Sequence, residues 1–297
     1  MAKIADLLAA GRTVSFEFPP PKTPQALVTF DETMEDLAGL HPSFISVTYG
    51  ALGTTRDTTR DVVVRVDKER DFPAVPHLTC VGHSRADLED LLVHYRDAGI
   101  ENILALAGDP PADGSDPGGD FTFATELIDL IREVGDFGVV VAAFPEVHPR
   151  SSDRETDRRY LAAKLARADA AITQFFYEPA DYLKMVDELA ARGCETPVIP
   201  GIFPFINVGG LRRMAGMNGS VIPSWLEPRL ELVDGDKEAT RALGVEVASE
   251  LGARLLEEGV PGLHLYTMNK ARSVREVCAN LGVLQDGTAP DPGAAPG

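Results

Sequence analysis

The feature that most constrains the fold is a regular alternation of short apolar runs with longer helical patterns. Eight runs rich in β-branched or aromatic residues recur along the 297 residues, and ten or more residues with a helical pattern follow most of them. Most of the runs are almost continuously apolar, as strands covered on both faces are. The runs span residues 13–18, 44–49, 74–80, 102–107, 138–144, 170–176, 197–203 and 262–268.

The segments between these runs carry the helical signal. Eight strands alternating with about eight helices predict an α/β protein, a single-domain (β/α)8 TIM barrel. A doubly wound open sheet is the alternative, but no GxGxxG motif opens a helix after a strand, which disfavours a Rossmann fold. The clearest helices are expected at residues 84–98, with Ser84 as the N-cap, and at 123–134, 179–192 and 236–258.

No composition shift divides the chain into two domains. The barrel is expected to occupy residues 1–284, and the Pro-, Gly- and Ala-rich residues 285–297 are expected to form a disordered tail. Residues 110–120 are rich in Pro, Gly and Asp, which is typical of a long loop. Residues 219–235 are expected to be an additional excursion before a late helix.

Charge and cysteine content exclude several classes of protein. The chain has 28 Lys and Arg against 46 Asp and Glu, a formal net charge of −18. Such a surface repels phosphate backbones and anionic membranes, so neither nucleic acid nor membrane is the expected partner. A pocket with local positive charge can still bind an anionic small molecule. Three widely spaced cysteines and the absence of a long apolar segment predict a cytoplasmic protein without disulfides.

Polar residues occur where most of the predicted strands end. In a (β/α)8 barrel the active site lies at the carboxyl ends of the strands, so these residues are expected to converge on one mouth. They are Glu17, Thr48, Tyr49, His77, Gly108, Asp109, the segment 145–149, Gln174, Tyr266 and Asn269.

Glu17 is the strongest candidate for proton transfer. It lies between Phe16 and Phe18, which would partly desolvate its carboxyl group. Desolvation raises a carboxyl pKa and suits a general acid. The alternative is a structural Glu17 paired with a buried Lys or Arg.

Other strand-end residues allow both a functional and a structural interpretation. Asp109 follows Gly108, which permits close approach to a ligand, but it could equally cap a turn. Gln174 lies in an apolar strand and must find partners in a ligand or a neighbour. His77 and His148 lack other ligands at metal-binding spacing, so no metal site is predicted.

The strand-end motifs together resemble the methylenetetrahydrofolate reductases, the bacterial MetF-type flavoproteins. They occur in the order of that family and span most of residues 12–284. The matching segments are SFEFPPPKT (15–23), FISVTYGALGTTRDTT (44–59), PHLTC (76–80), GDPP (108–111), AAFPEVHP (142–149), AITQFFY (171–177), PVIPGIFP (197–204) and HLYTMNKA (264–271).

This resemblance implies a barrel enzyme of one-carbon metabolism that reduces 5,10-methylenetetrahydrofolate to 5-methyltetrahydrofolate with NADH or NADPH, through FAD. It implies that Glu17 opens the five-membered ring as an acid, that Asp109 hydrogen-bonds the pterin, and that Gln174 contacts folate and nicotinamide. Lys270 falls where the folate glutamate tail is expected. The positions that line the flavin in the family correspond to Thr48, Tyr49, Ala51, His77, Gly108, Ala124, Phe144, His148, Asp157 and Lys164.

The sequence departs from the family on the flavin side. Ala107 replaces a usual Arg, Tyr160 a common Asn and Ala163 an Arg found in some members, and the loop at 166–169 differs. Each lost Arg–phosphate bond is worth about 1.5–3 kcal/mol. Two versions of the enzyme therefore remain open: FAD bound as in the family, or NADH giving its hydride directly to the folate.

Two further functions remain as alternatives: a folate- or nucleotide-binding barrel without catalysis, and a different barrel flavin oxidoreductase. No basic cluster marks a 2′-phosphate pocket, so NADH is expected over NADPH. Family members are often homo-oligomers, but the sequence alone leaves the oligomeric state open.

Overall fold

The computed structural model describes residues 2–50, 56–109, 115–116 and 118–283. Nine strands in one parallel sheet alternate with helices within these residues. The strands are β1 Thr13–Phe18, β2 Phe44–Val47, β3 Ala74–Thr79, β4 Asn102–Leu106, β5 Gly138–Ala143, β6 Ala170–Thr173, β7 Val198–Ile199, β8 Gly201–Ile202 and β9 Gly262–Tyr266.

Eleven helices are present in the described part of the chain. Helix α1 precedes the first strand, and most of the others follow a strand and cover the outside of the sheet. They are α1 Ile4–Ala10, α2 Pro24–Ala38, α3 Arg56–Glu69, α4 Arg85–Ala98, α5 Ala124–Val134, α6 Arg154–Leu165, α7 Pro179–Ala190, α8 Val208–Asn218, α9 Glu227–Val233, α10 Lys237–Glu257 and α11 Ala271–Leu281.

The sheet closes into the predicted (β/α)8 barrel. Strand order runs β7-β6-β5-β4-β3-β2-β1-β9-β8, and β7 and β8 are two halves of one predicted run. Pro200 separates them because it lacks an N–H for the ladder, while its carbonyl accepts the His264 N–H at 3.0 Å. The expectation of one continuous strand at 197–203 is therefore wrong in detail, and the open-sheet alternative is excluded.

Local capping explains several helix boundaries. Ser84 caps α4 as predicted, and it exchanges hydrogen bonds with Asp87 in a capping box. Gly99 ends the same helix with φ 91°, the left-handed conformation that glycine adopts most easily. The excursion at 219–235 contains the short helix α9, which packs against α10.

The N-terminal helix closes the bottom of the barrel. Ile4 is buried in a cluster with the inward-facing Phe44, Val75 and Val140. Asn102 fixes this helix, because its side chain accepts the Ile4 N–H at 2.9 Å and donates to the Ala2 carbonyl at 3.0 Å. With the bottom plugged by apolar side chains, the polar lumen residues lie toward the opposite, carboxyl end of the strands. Within the described part of the chain, none of the helices combines the length and apolar character needed to cross a bilayer.

Candidate active site

Polar side chains fill the upper half of the barrel on the side of β1, β3 and β9. Because side chains alternate along a strand, Ser15 and Glu17 both point inward from β1. The register pairs Ser15 with His264 and Glu17 with Tyr266 on β9. His77 enters from β3, two strands away. The strand alternation therefore gathers a carboxylate, two imidazoles and two hydroxyls in one lumen.

The Glu17 carboxylate lies between two histidines. Its side chain is 16% exposed, and Oε2 lies 3.4 Å from Nε2 of His77 and 3.6 Å from Nε2 of His264. Among the described residues these imidazoles, not a Lys or Arg, are the basic groups at ion-pair distance. The alternative of a structural pairing with a buried Lys or Arg is therefore wrong.

Both imidazoles have an unsatisfied nitrogen on the side of Glu17. Nε2 of His77 and Nε2 of His264 are buried without a hydrogen-bond partner among the described residues. Burial lowers the pKa of His77, although the nearby Glu17 charge opposes this effect. Nδ1 of His264 lies 2.8 Å from the Ser15 hydroxyl, which orients that ring. The arrangement can hold and move a proton at Glu17.

A strained turn after β9 is bonded to the end of β1. The Thr267 N–H and hydroxyl both donate to the Glu17 carbonyl, at 3.0 Å and 2.6 Å. Met268 and Asn269 follow with φ of 48° and 53°, in the left-handed region of backbone conformation that is unfavourable for most residues other than glycine. The turn presents Lys270 to solvent at the barrel mouth. These hydrogen bonds, together with that from the Lys270 N–H to the Thr267 carbonyl, fix the position of Lys270 relative to Glu17.

The predicted Gly108–Asp109 segment lies across the mouth. Gly108 has φ 91°, and a Cβ there would lie 3.1 Å from Cβ of Thr79. The glycine thus allows close packing against β3. Asp109 is exposed. Burial lowers the pKa of His148, and the Asp109 charge opposes this shift in part. The carboxylate is available to a ligand at the mouth.

Gln174 lies one residue beyond β6 rather than inside a strand, which corrects the expectation from sequence. Its backbone N–H donates to the Ala143 carbonyl at 2.8 Å. Its side-chain Oε1 accepts the Phe175 N–H at 3.2 Å. The half-buried side chain has a local partner for its oxygen, and its amide nitrogen has no hydrogen-bond partner among the described residues, so it is available to a ligand.

The loop from β5 to α6 forms the wall expected to face a cofactor. Phe144 and His148 pack edge to face with ring centroids 4.5 Å apart. Asp157 holds the loop by accepting the His148 N–H at 3.1 Å and the Ser151 hydroxyl at 2.9 Å. Lys164 donates to the Ala142 carbonyl at 2.6 Å, and burial lowers its pKa to about 8. Asp157 therefore supports the wall from behind.

Three further predicted positions, all among the described residues, lie around the same mouth. Thr48 follows β2 and donates its N–H to the Phe18 carbonyl at 3.0 Å. Tyr49 is buried with its hydroxyl 3.4 Å from Nε2 of His83, and burial raises its pKa to about 12. Ala124 begins α5. Ala51 lies outside the described residues.

The three departures from the family bring no charge to the mouth. The Ala107 carbonyl accepts the Val81 N–H at 2.9 Å, which joins the ends of β3 and β4. Tyr160 is 63% exposed, with the Arg159 guanidinium 5.1 Å from its ring centre. Ala163 is exposed on α6.

Sequence reasoning did not single out Ser15, His264, Arg150 or Arg158 as site residues. A signal existed for the first two, because each lies two positions before an inward-facing strand-end residue and thus shares its face. Arg158 is fully buried, and no sequence pattern marks this. The described residues contain no group of three His, Cys, Asp or Glu side chains placed to hold a metal ion.

A closed (β/α)8 barrel with a carboxylate, imidazoles and basic groups at its carboxyl-terminal mouth belongs to the class of barrel enzymes that act on small molecules. A family model described as methylenetetrahydrofolate reductase matches residues 3–282. The chain belongs to this family.

Individual relatives agree with this assignment. The 5,10-methylenetetrahydrofolate reductase of Pectobacterium carotovorum is 38% identical over 274 residues, covering 92% of this chain and 91% of that protein. Methylenetetrahydrofolate reductase (NADH) 1 of Arabidopsis thaliana is 36% identical over 301 residues, covering 96% of this chain and 51% of the plant protein.

A solved structure supports the fold independently. It is that of an uncharacterized protein from Clostridium thermocellum, described as binding two copies of 5-methyl-5,6,7,8-tetrahydrofolic acid. The two chains superpose with a TM-score of 0.64 at 15% identity, over 93% of this chain and 96% of the other. At this identity the likeness establishes a shared barrel fold alone.

Proposed function

We propose that this protein reduces 5,10-methylenetetrahydrofolate to 5-methyltetrahydrofolate, with NADH as the source of the hydride. The observation that carries the proposal is the Glu17 carboxylate between His77 and His264 at the mouth of a barrel of this family. The Arabidopsis relative is named as an NADH enzyme, and the Clostridium barrel is described as binding methyltetrahydrofolate.

Glu17 performs the acid step of this reaction. Its protonated carboxyl group donates to N10 of the substrate, the methylene carbon–N10 bond breaks, and the electron pair stays on N10. The resulting iminium at N5 accepts a hydride at the methylene carbon to give the N5 methyl group. His264, oriented by Ser15, and His77 are placed to return a proton to Glu17 between turnovers.

Other residues bind and orient the folate. Asp109, exposed at the mouth, hydrogen-bonds the pterin. Gln174 offers its free amide group to the folate and nicotinamide. Lys270 attracts the carboxylates of the glutamate tail, as a point charge rather than the two-pronged donor that Arg would be.

The mouth fits a dinucleotide. The Thr79 hydroxyl is buried there without a hydrogen-bond partner among the described residues, and Lys164 and His148 suit phosphate and hydroxyl groups. The bound dinucleotide supplies the hydride. Its binding residues are Thr48, Tyr49, Ala51, His77, Gly108, Ala124, Phe144, His148, Lys164 and Gln174, with Asp157 supporting the loop.

Membership of the family and the departures of this sequence from it leave two possible paths for the hydride. Retention of the family's residues at most flavin positions supports bound FAD. The uncharged Ala107, Tyr160 and Ala163 favour direct transfer from NADH, because each stands where relatives of the family usually or sometimes contact the flavin.

The visible absorption spectrum of the freshly purified protein separates these versions. A flavin band that persists through gel filtration establishes a flavoprotein. In its absence, turnover of NADH and methylenetetrahydrofolate without added FAD establishes direct transfer, and turnover only with added FAD establishes a weakly bound flavin. If the protein binds folate but shows turnover under none of these conditions, the proposed function is contradicted and a catalytically inactive barrel is favoured.

A further inference from the structure

Arg150 occupies a rigid turn beside the candidate cofactor wall. Its backbone N–H donates to Nδ1 of His148 at 3.1 Å, and the Ser151 N–H donates to the His148 carbonyl at 2.8 Å. Asp157 anchors the turn through His148 and Ser151. The backbone at Arg150 is therefore held from two sides, while the side chain is exposed and forms no ion pair with the residues that the structure describes.

The turn also determines what His148 can offer to a ligand. Nδ1 accepts the Arg150 N–H, so the neutral ring carries its proton on Nε2. Nε2 is then a hydrogen-bond donor. The packing of the ring against Phe144 fixes its orientation.

Arg150 adds positive charge to a site that already contains Lys164. The Arg150 guanidinium helps to lower the pKa of both Lys164 and His148, behind burial as the larger cause in each. The Asp157 charge raises both pKa values, but its carboxylate already accepts hydrogen bonds from the turn and from Arg158. In a chain of net charge −18, such a concentration of basic groups favours an anionic ligand.

We propose that Arg150, together with Lys164 and His148, binds the diphosphate of the dinucleotide; this inference rests on the proposed function. A guanidinium can form two parallel bonds to phosphate oxygens, which an ammonium cannot. Arg150 would supply from the β5–α6 loop the positive charge that is missing at Ala107 and Ala163. Lys270, the residue expected to bind the folate tail, follows β9, so the two anionic ligands have separate basic residues.

The test is a set of binding measurements by isothermal titration calorimetry. The probes are NADH, NADPH, FAD, ADP, adenosine and 5-methyltetrahydrofolate, of which only the first four contain a diphosphate. The variants are Arg150→Gln, Arg150→Lys and, as a control of equal charge change, Arg12→Gln at the opposite end of the barrel.

Loss of one charge-assisted phosphate contact is expected to weaken binding of ADP and of the bound dinucleotide about 10- to 100-fold in Arg150→Gln. Arg150→Lys is expected to recover part of the loss, because it keeps the charge without the two-pronged geometry. Adenosine and 5-methyltetrahydrofolate are expected to bind all variants equally, and Arg12→Gln is expected to match the unsubstituted protein.

Each other outcome overturns the inference in a distinguishable way. Unchanged binding of NADH, FAD and ADP to Arg150→Gln removes Arg150 from the site while leaving the proposed function intact. A loss confined to NADPH in a parallel titration assigns Arg150 to a 2′-phosphate, and a loss confined to 5-methyltetrahydrofolate assigns it to the folate. If the unsubstituted protein binds neither NADH nor FAD, the proposed function fails and the inference fails with it.

Discussion

Oε2 of Glu17 lies 3.4 Å from Nε2 of His77, deep in the barrel mouth. This distance is longer than a charge-assisted hydrogen bond, and catalytic hydrogen bonds are often long before a substrate binds. Burial lowers the pKa of His77, so its imidazole is neutral at pH 7. The unsatisfied Nε2 atoms of His77 and His264 therefore face the Glu17 carboxyl group, where a proton can be passed.

The first prediction concerns proton donation. Glu17→Gln is expected to lower kcat by about 10²- to 10⁴-fold, the usual contribution of a general acid, because an amide cannot donate the required proton. The affinity for 5-methyltetrahydrofolate is expected to remain, since the amide preserves the shape of the side chain. Steady-state kinetics and calorimetry measure the two effects.

Glu257→Gln is the matched control for this substitution, since Glu257 is exposed at the other end of the barrel. Near-normal turnover in Glu17→Gln would remove the acid role from Glu17. An equal loss in both variants would indicate a general effect of charge.

The second prediction concerns the folate. Asp109→Ala is expected to weaken 5-methyltetrahydrofolate binding about tenfold and to lower kcat, because a hydrogen bond from the ligand to a charged group is lost. Asp109→Asn is expected to retain part of the affinity. Asp116→Ala, in the same connecting segment, serves as the control. Unchanged folate affinity in Asp109→Ala argues against pterin binding by this carboxylate.

The third prediction concerns pH. Lys164 has a pKa of about 8, because burial and the Arg150 charge disfavour its protonated form more than Asp157 favours it. The protonated form, which attracts a diphosphate, predominates below pH 8 and is lost above it. The Kd of NADH is therefore expected to increase as pH rises through 8. Lys164→Arg keeps its charge in this range and should abolish the dependence, and calorimetric titrations on both sides of pH 8 measure it.

The fourth prediction concerns stability. Burial raises the pKa of Glu146 from its ordinary value of 4.5 to about 7, although its carboxylate accepts the Val221 N–H at 2.8 Å. The folded state thus keeps a proton that the unfolded state has already lost. Stability from this group is expected to fall as pH rises from 4.5 to 7 and to stay low above that range.

Glu146→Gln removes the unfavourable free energy of ionising a buried carboxyl group, and the amide oxygen of Gln can still accept the Val221 N–H. Its Tm is expected to exceed that of the unsubstituted protein at pH 8 and to equal it at pH 4. Glu231→Gln, an exposed substitution, is expected to show no such pH-dependent difference. Thermal denaturation followed by circular dichroism at both pH values checks the prediction, and equal Tm values at pH 8 would contradict it.

The fifth prediction concerns the buried ion pair beneath the β5–α6 loop. Arg158 is fully buried, pairs with Glu188 at 2.9 Å, and donates to the carbonyls of Phe144, Pro145 and Glu146 at 3.1, 2.5 and 2.8 Å. Arg158→Met is expected to cost about 3–5 kcal/mol, because it leaves three buried carbonyl acceptors without their donor and removes the ion pair with the buried Asp157, although Glu188 keeps its contact with Arg154.

Urea denaturation measures this loss. The neighbouring Arg159→Met is the control, because Arg159 is exposed and its removal is expected to change the free energy of unfolding by no more than about 0.5 kcal/mol. If Arg158→Met also changes the free energy of unfolding by no more than about 0.5 kcal/mol, the hydrogen bonds from the guanidinium to the three carbonyls do not stabilise the fold.

Several parts of the fold and site followed from the sequence because their causes are local. The alternation of apolar runs with helical patterns predicted the barrel, and Ser84 predicted where α4 begins. The same order of elements brought Glu17, Asp109 and His148 to one end of the barrel, since parallel strands end on the same side.

Other features depended on contacts between residues far apart in the chain. Nothing near Pro200 showed that its carbonyl would receive the His264 N–H, and nothing near Arg158 showed that it would be fully buried beneath three carbonyls. Local propensity and periodicity thus determined which elements form and in what order. The closure of the barrel decided which side chains meet in its lumen, because register and packing place residues such as Ser15 and His264 together across 249 positions of sequence.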